Sequence, residues 1–193
     1  FQGQLLTLTY PLIGNYGVPN EKKDALKVSN FESSKIHARA LIVSEYSENF
    51  SHWNAAKSLG QWLKEENVTG FTGIDTRALT QLLREKGSQI GKILVESTAG
   101  NYENIAEYNP NTYNIVTEVT IPKRTEYKAG PKRIIMIDCG VKNNTIRNFL
   151  QRDITVIRVP FDYDFFAHEE KFDGLCSLER SKSRRTFVEF SMG

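Results

Sequence analysis

The amino-acid sequence predicts an α/β protein in two parts: a mixed strand-and-helix N-terminal domain over residues 1–121, then the first βαβ unit of an open doubly wound parallel sheet, incomplete, over residues 132–175. Three stretches carry that expectation. Residues 73–92 hold a capped amphipathic helix between two strand-like runs. Residues 132–159 read strand, glycine turn, helix, strand. Between them, residues 122–131 are charged, aperiodic and bracketed by Pro122 and Pro131, as a linker is.

Composition narrows the function classes. A chain of 193 residues with 25 Lys and Arg against 23 Asp and Glu carries a net charge of +2. That field is too weak to argue for nucleic acid or an anionic membrane as a partner. No apolar run approaches the roughly 20 residues that cross a bilayer, and no basic leader precedes an apolar segment. The expected setting is cytoplasmic, and the opening on Phe1 instead of Met suggests a piece of something larger. Two cysteines, Cys139 and Cys176, build neither a disulfide framework nor a four-thiolate zinc site. With His37, His52 and His168 at no ligand spacing, neither a metal nor a cofactor is expected in this chain.

In chain order, residues 4–10 read as a strand and residues 11–20 as a turn-rich loop, with residues 21–29 a polar loop after it. Residues 36–43 read as a strand, apolar on both faces from Ala40 to Val43 and therefore interior. Residues 54–66 read as a helix with Ala55, Ala56, Leu59, Trp62 and Leu63 on one stripe. Asp75 or Thr76 caps the next helix, Leu79, Leu82 and Leu83 line its apolar side beside Ala78, and Gly87 stops it after Arg84 and Lys86. Residues 89–96 and 113–121 read as strands, with one or two helical turns between them at 102–108.

Residues 132–138 form a short apolar strand of the buried parallel kind, followed by Gly140, a helix over 143–151, a strand over 154–159 and a third over 172–175. Gly140-Val141-Lys142 invites a phosphate-loop reading, but the glycine spacing and the Lys-Ser/Thr pair are missing. Cys139, at a strand end before a helix, is a nucleophile only if its thiol is acidified; the commoner role there is a small packed hydrophobe. His52 has no Ser or Cys partner nearby in sequence, and Trp53 and Trp62 read as packing residues.

Four separated words then resemble one family, in the same order. Gly73-Ile74-Asp75-Thr76-Arg77-Ala78-Leu79-Thr80, continued by Leu83-Arg84-Glu85-Lys86-Gly87 and Gly91-Lys92, resembles the N-terminal domain of the carbamoyl-phosphate synthetase small (glutaminase) subunit. Leu8-Thr9-Tyr10-Pro11-Leu12-Ile13-Gly14-Asn15-Tyr16-Gly17, Ser51-His52-Trp53 and Ile137-Asp138-Cys139-Gly140-Val141-Lys142-Asn143-Asn144 resemble it too. The resemblance runs from about Gln4 to about Leu175, and the wording is closest to the eukaryotic multifunctional pyrimidine-pathway form.

The resemblance implies that the first domain contacts the synthetase large subunit or fused synthetase domains. It also implies that residues 132–175 open a triad-type glutamine amidotransferase domain, which releases ammonia from glutamine for carbamoyl phosphate synthesis in pyrimidine or arginine biosynthesis. In such domains the third strand runs into a Ser-Asn-Gly-Pro-Gly-Asp loop. A later Gly-x-Cys-x-Gly-His turn presents the thiolate beside amides that stabilise an oxyanion, and a His oriented by a Glu moves the proton.

None of those catalytic words occurs here, and a glutamine-binding serine of the family would precede Phe1. No catalytic residue is assigned in the chain, its substrate-binding residues are left open, and the fragment itself is expected to be inactive. ATP and magnesium are implied only for the synthetase part of the parent enzyme. Residues 176–193 no longer follow the family and read as an out-of-frame or wrongly spliced continuation, or else as a divergent tail with a solvated basic run at Arg180, Lys182, Arg184 and Arg185. Cys176 lacks the flanking glycines of the nucleophile turn. Two alternatives stand beside this reading: the corresponding region of a mitochondrial ammonia-dependent synthetase, and a non-catalytic module that docks on the synthetase.

Overall fold

The computed structural model describes residues 1–10, 12–93, 109, 112–164 and 171–177. The chain divides into two compact units, one of residues 1–20 and 35–114, the other of residues 21–34 and 115–193. A short stretch that the sequence places in a loop of the first domain is therefore counted with the second.

The first unit is built on a parallel three-stranded sheet in the order β1 (Leu5–Thr7), β4 (Ala40–Ile42), β7 (Thr69–Phe71). β4 is central and all three of its residues are buried, as its two-faced apolar run predicts. Leu41, Val43 and Leu63 form the buried core, with Leu6, Leu8, Ile13, Ile36, Tyr46, Leu59 and Val68 packed against it. Two ladders of two or three residues flank this sheet: β2 (Leu12–Ile13) beside β5 (Glu45–Tyr46), and β3 (Val18–Pro19) against β6 (Ala55–Lys57).

Helix α1 (Leu59–Glu65) is shorter than the sequence predicts. Ala55 and Ala56 belong to β6, because Ser58 takes the N-cap position and its hydroxyl accepts the Gln61 N–H at 3.0 Å. Helix α2 (Thr76–Lys86) starts and stops where the sequence places it. Asp75 Oδ1 accepts the Ala78 N–H at 2.9 Å, and Gly87 leaves the helix with φ 74°. Its inward side differs from the expected leucine stripe: Thr76 is buried, Leu79 and Leu83 are half-buried, and Leu82 is exposed.

The expected strand over 89–96 is not formed at residues 89–93, which carry no regular structure, and residues 94–96 and 102–108 lie outside the described residues. The expected strand over 113–121 is instead a 3-10 turn, Ile115–Glu118, followed by a tight return. Local bonding overrides the alternating pattern there: the Val119 and Thr120 N–H groups both donate to the Val116 carbonyl, at 3.1 and 3.0 Å.

The second unit is a four-stranded sheet in the order β11 (Gly174–Ser177), β9 (Lys132–Asp138), β10 (Ile154–Pro160), β8 (Thr125–Tyr127). β11, β9 and β10 are parallel, and β8 is antiparallel to β10. β8 falls inside the predicted linker; the open edge of β10 satisfies its backbone groups, so part of the charged segment joins the sheet. β11 lies two residues later than predicted and includes Cys176 and Ser177, so the first residues past the family resemblance still pair with β9.

One face of this sheet packs Ile134, Met136, Val156 and Cys176 against Ile146 and Leu150 of α3 (Asn143–Leu150) and against Val28. The other face buries Ile135, Ile157 and Val159. Val28 enters this core from residues 21–34, which are counted with this unit. Asp24 Oδ1 accepts the Leu26 and Val28 N–H groups, Lys27 turns the chain with φ 61°, and Arg147 of α3 clasps the segment through Asp24 Oδ2 at 2.7 Å and the Ser29 carbonyl at 2.8 Å.

Gly130 joins β8 to β9 where no side chain fits, since a Cβ there would lie 1.9 Å from the Asp153 carbonyl oxygen. The same crossing is tied by the Thr155 hydroxyl, which donates to the Gly130 carbonyl at 2.8 Å and accepts the Ala129 N–H at 3.0 Å. Gly130→Ala must push backbone from backbone, with an expected cost of about 1–3 kcal/mol, read as a lower midpoint in chemical denaturation. A second outcome concerns acid. The Arg147 guanidinium holds the Asp24 carboxyl below its ordinary value of 3.8, helped by the Val28 and Leu26 amides. Stability from this group is therefore present above that value and lost as pH falls through the lower folded value. Asp24→Asn should melt below wild type at pH 6, with the gap closing as melts are repeated toward pH 3.

Candidate functional site

In an open sheet with parallel strands, reactive groups collect beyond the carboxyl ends, beside the strand where the order reverses. β9 is that strand here: β10 lies on one side of it and the later β11 on the other. Its carboxyl end is Asp138, followed by Cys139, Gly140, Val141 and Lys142 before α3 begins.

Asp138 is fully buried and receives four donors. Oδ1 accepts the Gly140 and Val141 N–H groups at 3.1 and 2.9 Å, closing the turn that leaves β9. Oδ2 accepts the Ile121 N–H at 2.7 Å and the Arg158 guanidinium at 2.8 Å. Gly140 runs at φ 93° with Val119 Cγ2 only 3.3 Å from where a Cβ would stand, so the turn has no room for a side chain and favours glycine by conformation too. Arg158 sits mid-strand on the neighbouring β10, which makes it the one cation within reach of this carboxylate among its described contacts.

The amides that a phosphate would need are occupied by the protein itself. Beyond the two taken by Asp138, the Asn143 N–H donates to the Glu32 carbonyl at 3.0 Å and the Asn144 N–H to Glu32 Oε2 at 3.0 Å. The Asn143 side chain also donates to the Phe31 carbonyl. A carboxylate from residues 21–34 thus stands at the start of α3, where positive dipole charge would otherwise draw an anion. This agrees with the missing glycine spacing around Lys142.

The two cysteines differ in their surroundings. Cys176 is buried and desolvation pushes its thiol pKa up, away from the thiolate a nucleophile requires. Cys139 is half-buried on the turn. The histidines are not brought together by any described contact: His37 Nδ1 meets Gln2 Oε1 at 2.9 Å, His52 lies between two aromatic rings, and His168 is outside the described residues. Among the described residues no three His, Cys, Asp or Glu side chains gather as a metal site, and no helix is long and apolar enough to cross a membrane.

Sequence reasoning overlooked Glu32, Arg147 and Arg158. Arg158 left a signal, as a cation in the otherwise apolar run Ile154-Thr155-Val156-Ile157-Arg158-Val159; Glu32 left none, since its partner is 112 residues away.

Asp138→Ala would strand a guanidinium that is 14% exposed and three backbone amides. The expected loss is about 3–5 kcal/mol. Arg158→Leu introduced together with it should restore part of that loss, so a double-mutant cycle by denaturation should show strong coupling.

Against this geometry, the family described as carbamoyl-phosphate synthase small chain, CPSase domain, matches residues 1–93. The Multifunctional protein CAD of Squalus acanthias is 46% identical over 178 residues, covering 91% of this chain and 8% of its own length. The Multifunctional protein pyr1-3 of Dictyostelium discoideum is 43% identical over 195 residues, again 91% of this chain and 8% of its own. The Carbamoyl phosphate synthase arginine-specific small chain of Saccharomyces cerevisiae is 41% identical over 181 residues, covering 91% of this chain and 43% of its own length. The chain thus spans under a tenth of these multifunctional relatives and under half of the separate small chain. Residues 1–93 thus match the CPSase domain of the carbamoyl-phosphate synthase small chain, and the similarity to these relatives continues over 91% of the chain.

Proposed function

We propose that this chain is part of the glutaminase side of a glutamine-dependent carbamoyl-phosphate synthetase, a cytoplasmic ligase of pyrimidine or arginine biosynthesis. The first unit serves as the domain that contacts the synthetase, and the second is the opening of the glutamine amidotransferase domain. The observation that carries this reading is the identity over 91% of the chain to relatives of both the multifunctional and the small-chain kind. It spans both units, so it is not owed to the first domain alone.

The second unit supports the amidotransferase half of the proposal through its strand order. β10 and β11 lie on opposite sides of β9, the order with which a doubly wound sheet would begin, and in such a sheet the ligand crevice would lie beyond Asp138 and Ser177. The role of this chain's own residues at that crevice is to shape it. Asp138 fixes the turn after β9, Arg158 fixes Asp138, and Glu32 sets the start of α3. The nucleophile, proton carrier and oxyanion loop are assigned to residues outside this chain, because no Gly-x-Cys-x-Gly-His turn occurs in it and Cys176 is buried with a raised thiol pKa. ATP and magnesium act in the synthetase part and have no assigned ligands here.

Incubated with glutamine, the purified chain should release ammonia at the rate of a buffer blank. A glutamine analogue that traps active-site thiols should leave Cys139 and Cys176 unlabelled by mass spectrometry. Turnover sensitive to Cys139→Ala would place the chemistry inside this chain and overturn that assignment. The chain should bind the synthetase part of a multifunctional relative expressed without its own small-chain region, and failure to bind would count against the first unit's role.

A further inference from the structure

Residues 21–34 are held to the second unit by few attachments, most of them on α3. Val28, 2% exposed, is the one buried side chain of the segment, with Leu26 partly buried against the same core. The remaining attachments are polar. Arg147 holds Asp24 Oδ2 and the Ser29 carbonyl, the Glu32 carbonyl and carboxylate accept the Asn143 and Asn144 N–H groups, and the Asn143 side chain donates to the Phe31 carbonyl. The Arg147 and Asp24 side chains keep 20% and 35% of their surface open to solvent, so water competes for this ion pair.

Within itself the segment is a closed loop. The Asn30 N–H donates to the Lys22 carbonyl at 2.9 Å, the Asp24 N–H to the Val28 carbonyl at 3.0 Å and the Lys22 N–H to Asn30 Oδ1 at 2.8 Å. The loop turns on Lys27, whose φ of 61° is a left-handed conformation that a side chain disfavours. The four-stranded sheet takes none of its strands from this segment, and residues 20 and 35 on either side of it are counted with the first unit. Lifting the loop therefore breaks no strand pairing.

We propose that residues 21–34 are a releasable strap, which lifts from α3 while the four-stranded sheet stays folded and so uncovers the start of that helix. A segment with a single buried apolar anchor and solvent-exposed hydrogen bonds opens at a lower free energy than a core strand. It opens as one piece, because Arg147 holds Asp24 on one arm of the loop and Ser29 on the other. The effect is felt at the carboxyl end of β9. Release takes Glu32 from the Asn143 and Asn144 amides, and α3 begins just after the turn that Asp138 closes. The strap thus sets how firmly that helix start is held, and neither its release nor its docking depends on the function proposed above.

The test is amide hydrogen exchange of the whole chain, followed by NMR over a series of urea concentrations below the unfolding transition. A loop this short has no stability of its own once it is lifted, so the Val28, Asn143 and Asn144 amides should share one level of protection. That level should be at least about tenfold weaker than in β9 and β10, with a shallow dependence on urea because release exposes little surface. Val28→Ala reaches the Asn143 and Asn144 amides only through the strap, and it should speed their exchange by at least about fivefold; Arg147→Gln should do the same by about as much. Exchange of these three amides together with β9 and β10, at one steep urea dependence, would overturn the proposal, since the strap would then open only when the unit unfolds. Exchange in the wild type at the rate of an unstructured peptide would overturn it as well, because the strap would not be docked. Rates at Asn143 and Asn144 untouched by Val28→Ala would assign their exchange to fraying of α3 and remove the strap from the account.

Discussion

The buried carboxylate of Asp138 joins β9 and the turn after it to two segments of the second unit that the chain order keeps apart. It closes the turn after β9, receives the Ile121 amide from the segment ahead of β8, and binds Arg158 from the next strand. A charge in that position is tolerable only because each oxygen is fully engaged; with one donor missing, desolvation would outweigh the attraction that remains. The carboxyl end of β9 thus has one geometry.

The same economy of partners appears at α3. Its first amides face Glu32, and its Arg147 grips Asp24 and Ser29, so residues 21–34 act as a strap across the helix while Val28 enters the core beneath. Asn143, Arg147 and Val28 together explain why a polar segment flanked by first-unit strands is counted with the second unit. A consequence for chemistry follows: the helix start that would be a ready anion site is satisfied by an internal carboxylate.

The first unit divides differently between core and surface. Its central strand and α1 bury a modest aliphatic cluster, while Tyr16, His52 and Trp53 are held outward on loops cramped by glycine. These exposed aromatic side chains stand outside that core.

What sequence determined by itself was whatever depends on neighbours within a few residues. Asp75 and Gly87 set the ends of α2, Ala40 to Ile42 announced a central strand, and the run from Arg133 to Val159 announced strand, helix and strand, because caps, turns and apolar periodicity are local. The family words were legible for the same reason. Tertiary structure alone decided the rest. It turned residues 115–118 into a 3-10 turn, drew β8 out of an apparent linker, and set Glu32 on a helix 112 residues away. In each case a backbone or carboxylate group found a partner that only the folded chain brings near, and a buried polar group without such a partner would cost more than any local preference supplies.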